Sequence, residues 1–203
     1  MKKLIRLAIA LLAIPAASWA GSRGATLGSP VTFDMLVSAG GAVCLPYARA
    51  TVTITPTGPV EYMEVSVSGL SPNTEFDFFV IQLPTAPFGL SWYQGSIDTD
   101  DYGQGTQTFV GRFNVETFTV APGSGPAPIV FGDGPFPDAD HNPATNPVQM
   151  YHLGLWFDSP AAAVAAGCAG TVTPFAGDHQ AGIQLLNTRH FPDDQGPLRQ
   201  LIP

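Results

Sequence analysis

SGLSPNTEFDFFVIQL, residues 68–83, decides the fold class. Leu70, Pro72, Thr74 and Phe76 fall at two-residue spacing through a Gly/Pro/Asn-rich corner. The strand beyond the corner has no polar side: Phe76, Phe78 and Val80 line one face, Phe79, Ile81 and Leu83 the other, with Asp77 near the start. Successive strand residues point to opposite faces, so a strand apolar on both is central and covered on both sides, as by another sheet and a long loop.

The flanking segments alternate in the ordinary half-buried way. In ARATVTIT, Ala48 to Thr55, the residues Ala48, Ala50, Val52 and Ile54 face one way, while Arg49 and the threonines face the other. After the Thr57-Gly58-Pro59 break, Glu61 to Ser68 sets Met63, Val65 and Val67 inward. Period-two patterns of this kind predict strands with one wet face. Further strands are expected at Val31 to Val37, through Leu90 to Ile97, and at Thr106 to Phe113, Glu116 to Val120, Ile129 to Phe131, Val148 to Asp158 and Gly182 to Thr188. DTDDYGQG, Asp98 to Gly105, forms the turn of a hairpin. Ser159 as N-cap, Pro160 at the first helical position and Gly167 as the stop predict one short helix over Ala161 to Ala166. The expected fold is mainly β, a single antiparallel sandwich of eight to ten short strands with one short helix and long loops, at residues 31–203. The Pro/Asp-rich stretch Gly132 to Pro147 is the longest of those loops.

The corner GLSPNTEF resembles the turn before the F strand of fibronectin type III and related immunoglobulin-like sandwiches, whose pattern is Leu-x-Pro-x-Thr-x-Tyr. The resemblance covers about eight residues and departs at Phe76, which lacks the hydroxyl of the tyrosine corner. Over most of the chain, Phe88-Gly89, WYQG, GRF, HLGLWF, the helix ending in Gly-Cys and QGPLRQL together resemble a group of exported bacterial β-rich proteins. That likeness implies one exported domain and no particular chemistry.

Export is also legible at the start of the chain. Lys2, Lys3 and Arg6 precede an apolar run, Leu7 to Ile14, too short to span a bilayer, and Ser18-Trp19-Ala20 offers small residues to a signal peptidase. Cleavage between Ala20 and Gly21 is expected, followed by a loose leader to Pro30, with a secreted or periplasmic destination and no membrane insertion afterwards. Removal of that segment leaves five arginines, no lysine and all sixteen acids. So acidic a chain disfavours nucleic acid and anionic lipid, and suits a cationic or calcium-bridged partner or a neutral glycan. Cys44 and Cys168 are the only cysteines. An even pair in an oxidising compartment reads as a disulfide, and neither residue sits in a catalytic thiol motif.

Three constellations bear on chemistry. Asp98, Asp100 and Asp101 with Gly103 begin like a calcium loop, but Tyr102 and Phe109 stand where ligands are needed, so an acidic turn is the first reading and a calcium site completed by another loop the second. Trp92 and Tyr93 beside those carboxylates suit stacking on a sugar, although one of two adjacent strand residues is expected in the core. His141, His152, His179 and His190 lie in the second half, two of them in Asp-His pairs, without the spacing of a metal motif. No Gly-x-Ser-x-Gly elbow, phosphate loop or basic-aromatic surface is present, so no catalytic residue is assigned. The reading is a non-enzymatic binding or structural module that contacts a glycan or an extracellular protein through its loops, with no required cofactor. The competing class is a hydrolase or metal-dependent enzyme built from loop carboxylates and histidines.

Overall fold

The computed structural model describes residues 28–89, 91–113, 150–173, 180–193 and 195–201. Eight strands run in chain order: β1 (Val31–Val37), β2 (Arg49–Pro56), β3 (Glu61–Ser68), β4 (Glu75–Ile81), β5 (Ser91–Asp98), β6 (Gly105–Gly111), β7 (His152–Phe157) and β8 (Gln184–Asn187), with one helix, α1 (Pro160–Ala165). The expected signal segment, the strands at Glu116 to Val120 and Ile129 to Phe131, and the loop Gly132 to Pro147 lie outside the described residues.

Every strand pair is antiparallel, and the ladder joins into one sheet in the order β5-β4-β7-β8-β1-β2-β3-β6. The expected class holds at the level of mainly antiparallel β with one short helix. Hydrogen bonding draws a single nearly closed, barrel-like sheet where the sequence pattern predicts two separate sheets. The switch happens within β1, whose Val31 to Met35 pair with β2 while Leu36 and Val37 pair with β8. The two edge strands, β5 and β6, are consecutive in sequence and meet at their shared turn, where the Asp100 amide donates to the Gln104 carbonyl at 2.8 Å.

The alternation read from sequence is the alternation observed. Ala50, Val52 and Ile54 of β2 and Met63, Val65 and Val67 of β3 are buried, with Arg49, Thr51 and Glu64 exposed. Strand β4 is buried from its second residue onward. Phe76, Phe78 and Val80 enter the main core, while Phe79 and Ile81 join Trp156, Ala181 and Phe88 in a second cluster on the other face. Loop residues cover that second face, as the two-sided apolar pattern requires.

The corner before β4 is fixed without a tyrosine. Thr99, buried just past β5, donates its hydroxyl to the Ser71 carbonyl at 2.6 Å and accepts the Thr74 amide at 3.0 Å. The Asn73 amide donates to the Asp100 carbonyl at 3.1 Å, and the Leu70 amide to the Gly103 carbonyl at 3.2 Å. The β5–β6 turn therefore holds the corner in the place of the missing phenol. At Gly103, with φ of 68°, a Cβ would lie 2.1 Å from the Leu70 carbonyl oxygen, so only glycine lets the two loops approach this closely.

Helix α1 begins as its sequence predicts: the Ser159 hydroxyl accepts the Ala162 amide, Pro160 opens the helix, and Gly167 ends it at φ of 80°. The Cys168 amide returns to the Ala163 carbonyl at 2.8 Å, which sets the sulfur for its bridge to Cys44, Cα to Cα 5.1 Å. The bridge ties the turn after β1 to the end of α1. No helix of the described residues is long and apolar enough to cross a membrane, and a disulfide fits an extracellular or periplasmic compartment.

Candidate functional site

Strand β5 carries both aromatic candidates, and its geometry departs from regular alternation. Phe78 is paired with Gly95 and Phe79 with Tyr93, so Gln94 is an extra residue in a β-bulge. Gly95, at φ of 144°, accommodates the Phe109 ring, whose Cε1 would lie 3.0 Å from a Cβ there. Trp92 and Tyr93 end up 45% and 46% exposed, so neither is the core residue that simple alternation expects. Their cross-strand partners, Val80 and Phe79, belong to opposite faces of the sheet. The two rings are therefore not one flat platform. Tyr93 leans on Phe79 at 5.3 Å between centroids, and its hydroxyl is 2.8 Å from the Ser96 hydroxyl. Partial burial raises the Tyr93 phenol above its ordinary pKa, the Ser96 hydrogen bond opposes this, and Asp77, Glu75 and Asp158 add to it. The phenol is neutral and can donate or accept at physiological pH.

Those three acids are what the sequence reading missed. One carboxylate oxygen each of Glu75, Asp77 and Asp158 lies within 4.8 Å of the others, with Asp77 buried, Asp158 half-buried and Glu75 exposed. Glu75 and Asp77 share a face of β4 by period two, and the Asp158 amide donates to the Glu75 carbonyl at 3.3 Å, which brings the third acid alongside. Such a set of hard oxygen donors could hold a divalent cation of the calcium or magnesium type. Period two marks the first two acids in the sequence, but only the β4–β7 pairing reveals Asp158.

The predicted acidic loop is divided by the structure. Asp98 is the cross-strand partner of Glu75 and so flanks the convergent group. Asp100 accepts the Tyr102 and Gln104 amides at 2.8 and 2.9 Å on one carboxylate oxygen, and Asp101 accepts the Asn73 side-chain amide at 3.0 Å. These two act as turn formers. Among the described residues, Asp98, Asp100 and Asp101 do not converge as a ligand group.

Neither described histidine joins this group. His152, fully buried on β7, has Nε2 at 3.1 Å from the Pro192 and Asp193 carbonyls and Nδ1 at 2.9 Å from the Thr188 hydroxyl. Carbonyls only accept, so Nε2 carries the hydrogen, and a neutral ring accepts the Thr188 hydroxyl at Nδ1. Thr188 in turn accepts the Leu153 amide at 3.1 Å. His190 stacks on Phe191 at 4.3 Å. His141 and His179 lie outside the described residues.

Burial lowers the His152 pKa from 6.5, against the partial support of the Asp193, Pro192 and Thr188 hydrogen bonds and the Asp193 charge. His190 is lowered too, first by burial and then by Arg189, with Asp34 opposing. A lowered histidine leaves stability fully present above pH 6.5 and loses it as the pH falls toward the folded value, because the unfolded chain takes the proton first. Urea unfolding on both sides of pH 6.5 should show this loss, at no more than about 1.4 kcal/mol per pH unit from the buried His152, with the solvent-screened His190 adding little. His152→Gln should flatten its share, and an unchanged pH slope in that variant would remove His152 as the cause.

No protein-family model matches the chain, and a search of curated proteins finds no relative.

Proposed function

We propose that the chain is an exported, non-enzymatic β-sandwich module that binds or builds structure outside the cytoplasm. It contacts a glycan or a surface protein through β5 and its flanking loops, around Trp92, Tyr93 and Asp98. The observation that carries this reading is the half-exposure of both aromatics on an edge strand, with Tyr93 on the face of Glu75, Asp77 and Asp98 and within electrostatic reach of Asp158. Large aromatics held partly out of water beside carboxylates are what a polar partner can stack against and hydrogen-bond. The sandwich reading is supported by β1, which changes partners midway and so joins two halves that pack face to face over one core. Removal of the first twenty residues at the Ala20–Gly21 bond belongs to the same reading, as does the oxidising compartment that the disulfide suits.

The competing enzyme class requires histidines and a carboxylate to converge. Among the described residues, the convergent group is all carboxylate, and His152 has both ring nitrogens occupied by structural partners. The acids support a bridging cation more directly than a hydrolytic pair.

The test is binding of fluorescently labelled mature protein to intact cells of the producing organism and to a glycan array, with and without a calcium chelator. Trp92→Ala and Tyr93→Ala should each weaken binding by roughly tenfold, as expected of an aromatic anchor. Chelation should abolish only a calcium-bridged contact. Undiminished binding by both variants, or none by the wild type, would sink the reading.

A further inference from the structure

A second surface, at the end of the sheet where β2 begins and β3 ends, has the chemistry of a ligand site. An open polar groove with a volume of about 500 Å³ runs there across β2, β3 and β6, lined by Arg49, Ser66, Ser68, Asp100, Gln104 and Thr106 among others. Tyr47, two residues before Arg49, and Tyr102, between Asp100 and Gln104, belong to the segments next to these lining residues, and both are 81% exposed. Single exposed aromatics are ordinary on protein surfaces, whereas two in the segments next to one polar groove are a more specific arrangement.

The rim is built to hold its shape. Gly69, at φ of 71°, brings the corner against the Tyr47 carbonyl oxygen, 2.5 Å from where a Cβ would lie, and Gly103 does the same against Leu70. Three loops are thus drawn into one edge by close backbone contacts. Strands β2 and β6 are separated by β3 alone, so the tyrosine-bearing loops stand two strand spacings, roughly 10 Å, apart. That width admits a sugar ring between the two loops.

The groove also keeps unspent polar groups. The Arg49 guanidinium, the Ser68 hydroxyl and the Gln104 carboxamide make no hydrogen bond or ion pair among the described residues. Asp100 is oriented by the Tyr102 and Gln104 amides on one oxygen, which leaves the other to accept. A planar fork of donors beside an oriented carboxylate matches vicinal hydroxyls, and the two charges cancel locally. The acidic chain around them disfavours a polyanion.

We propose that this groove, between the loops that contain Tyr47 and Tyr102, binds a neutral oligosaccharide. It rests on the binding-module reading and goes beyond it: the groove is a second contact, for sugar, in addition to the one around Trp92 and Tyr93.

The experiment is a glycan array that compares neutral with uronic-acid and sialylated glycans, followed by titration calorimetry with the tightest neutral glycan. Tyr102→Ala and Gln104→Ala remove only exposed side-chain groups and keep the turn's backbone bonds, and matching thermal melts establish that they fold. Each should weaken binding of that glycan by roughly tenfold, while Val164→Ala, an exposed change on α1, leaves it unchanged. Binding that survives both groove variants but falls in Trp92→Ala overturns the groove and preserves the module. A preference for acidic glycans, or cell binding without any neutral glycan bound, does likewise. If the wild type binds neither cells nor glycans, both readings fall.

Discussion

Phe78→Ala should lower the unfolding free energy by about 3–5 kcal/mol, the range for an aromatic lost from a packed core. Phe78 is fully buried on β4 and stacks on Phe109 of β6, with centroids 5.1 Å apart and planes inclined by only 5°. Strands β4 and β6 lie near opposite ends of the sheet order, so this contact crosses the interior and does not follow a ladder. Truncation removes the transfer free energy of the ring and opens a cavity between two surfaces that the hydrogen-bond network cannot draw together. Phe109 loses its stacking partner at the same time, and Gly95 beside it has no side chain to fill the space. Denaturant unfolding followed by tryptophan fluorescence would check the figure. Phe78→Leu, which keeps more of the volume, should cost markedly less. A loss below about 1 kcal/mol in Phe78→Ala would mean that the two halves do not depend on this contact.

Removing the disulfide, as Cys44→Ala/Cys168→Ala, should cost about 2–5 kcal/mol and lower the melting temperature by roughly 5–15 °C. The bridge spans a sequence separation of 124, so its reduced form gives the unfolded chain a large increase in conformational freedom. In the folded state it fastens α1 and the segment beyond it to the turn after β1, close to where β1 pairs with β8. That pairing is confined to Leu36 and Val37, a short ladder for the junction between the two halves of the sheet. Thermal melts with and without a reducing agent would measure the effect. The same melting temperature in both would show that the β8–β1 junction holds without it.

The two-sided burial of β4 was readable because its apolar residues occupy both phases of a period-two pattern. The same physics made Ala50, Val52, Ile54, Met63, Val65 and Val67 recognisable as core, and Ser159, Pro160 and Gly167 recognisable as helix ends. Strand limits moved by a few residues, as where β7 begins at His152 and not at Val148. Hydrogen-bonded partners set such limits, and hydropathy does not. Trp92 and Tyr93 keep the alternation, with partners on opposite faces, yet both stay half-exposed on an edge strand, and the Gln94 bulge after them leaves no mark in hydropathy beyond the neighbouring Gly95.

The candidate site was legible only in part. Asp98 stood out through its acidic neighbours, yet Asp100 and Asp101 spend their carboxylates on local turns. The convergent set draws Glu75 and Asp77 from one strand and Asp158 from just past another, some eighty positions away. Thr99, which replaces the missing tyrosine at the corner, is a single hydroxyl in an acidic turn, and nothing in its local context indicates the bond to Ser71.

From the sequence alone came the period of each strand, the helix signals, the cysteine pair and the acidic balance, because each depends on residues near in the chain or on composition. Tertiary structure decided that the strands join into one nearly closed sheet, that β1 divides its pairing between β2 and β8, that three carboxylates converge, and that the loops of Tyr47 and Tyr102 both pack on the corner before β4. Those outcomes depend on which strands lie side by side. Strand order is set by the summed fit of many distant surfaces, so no local stretch of residues contains it.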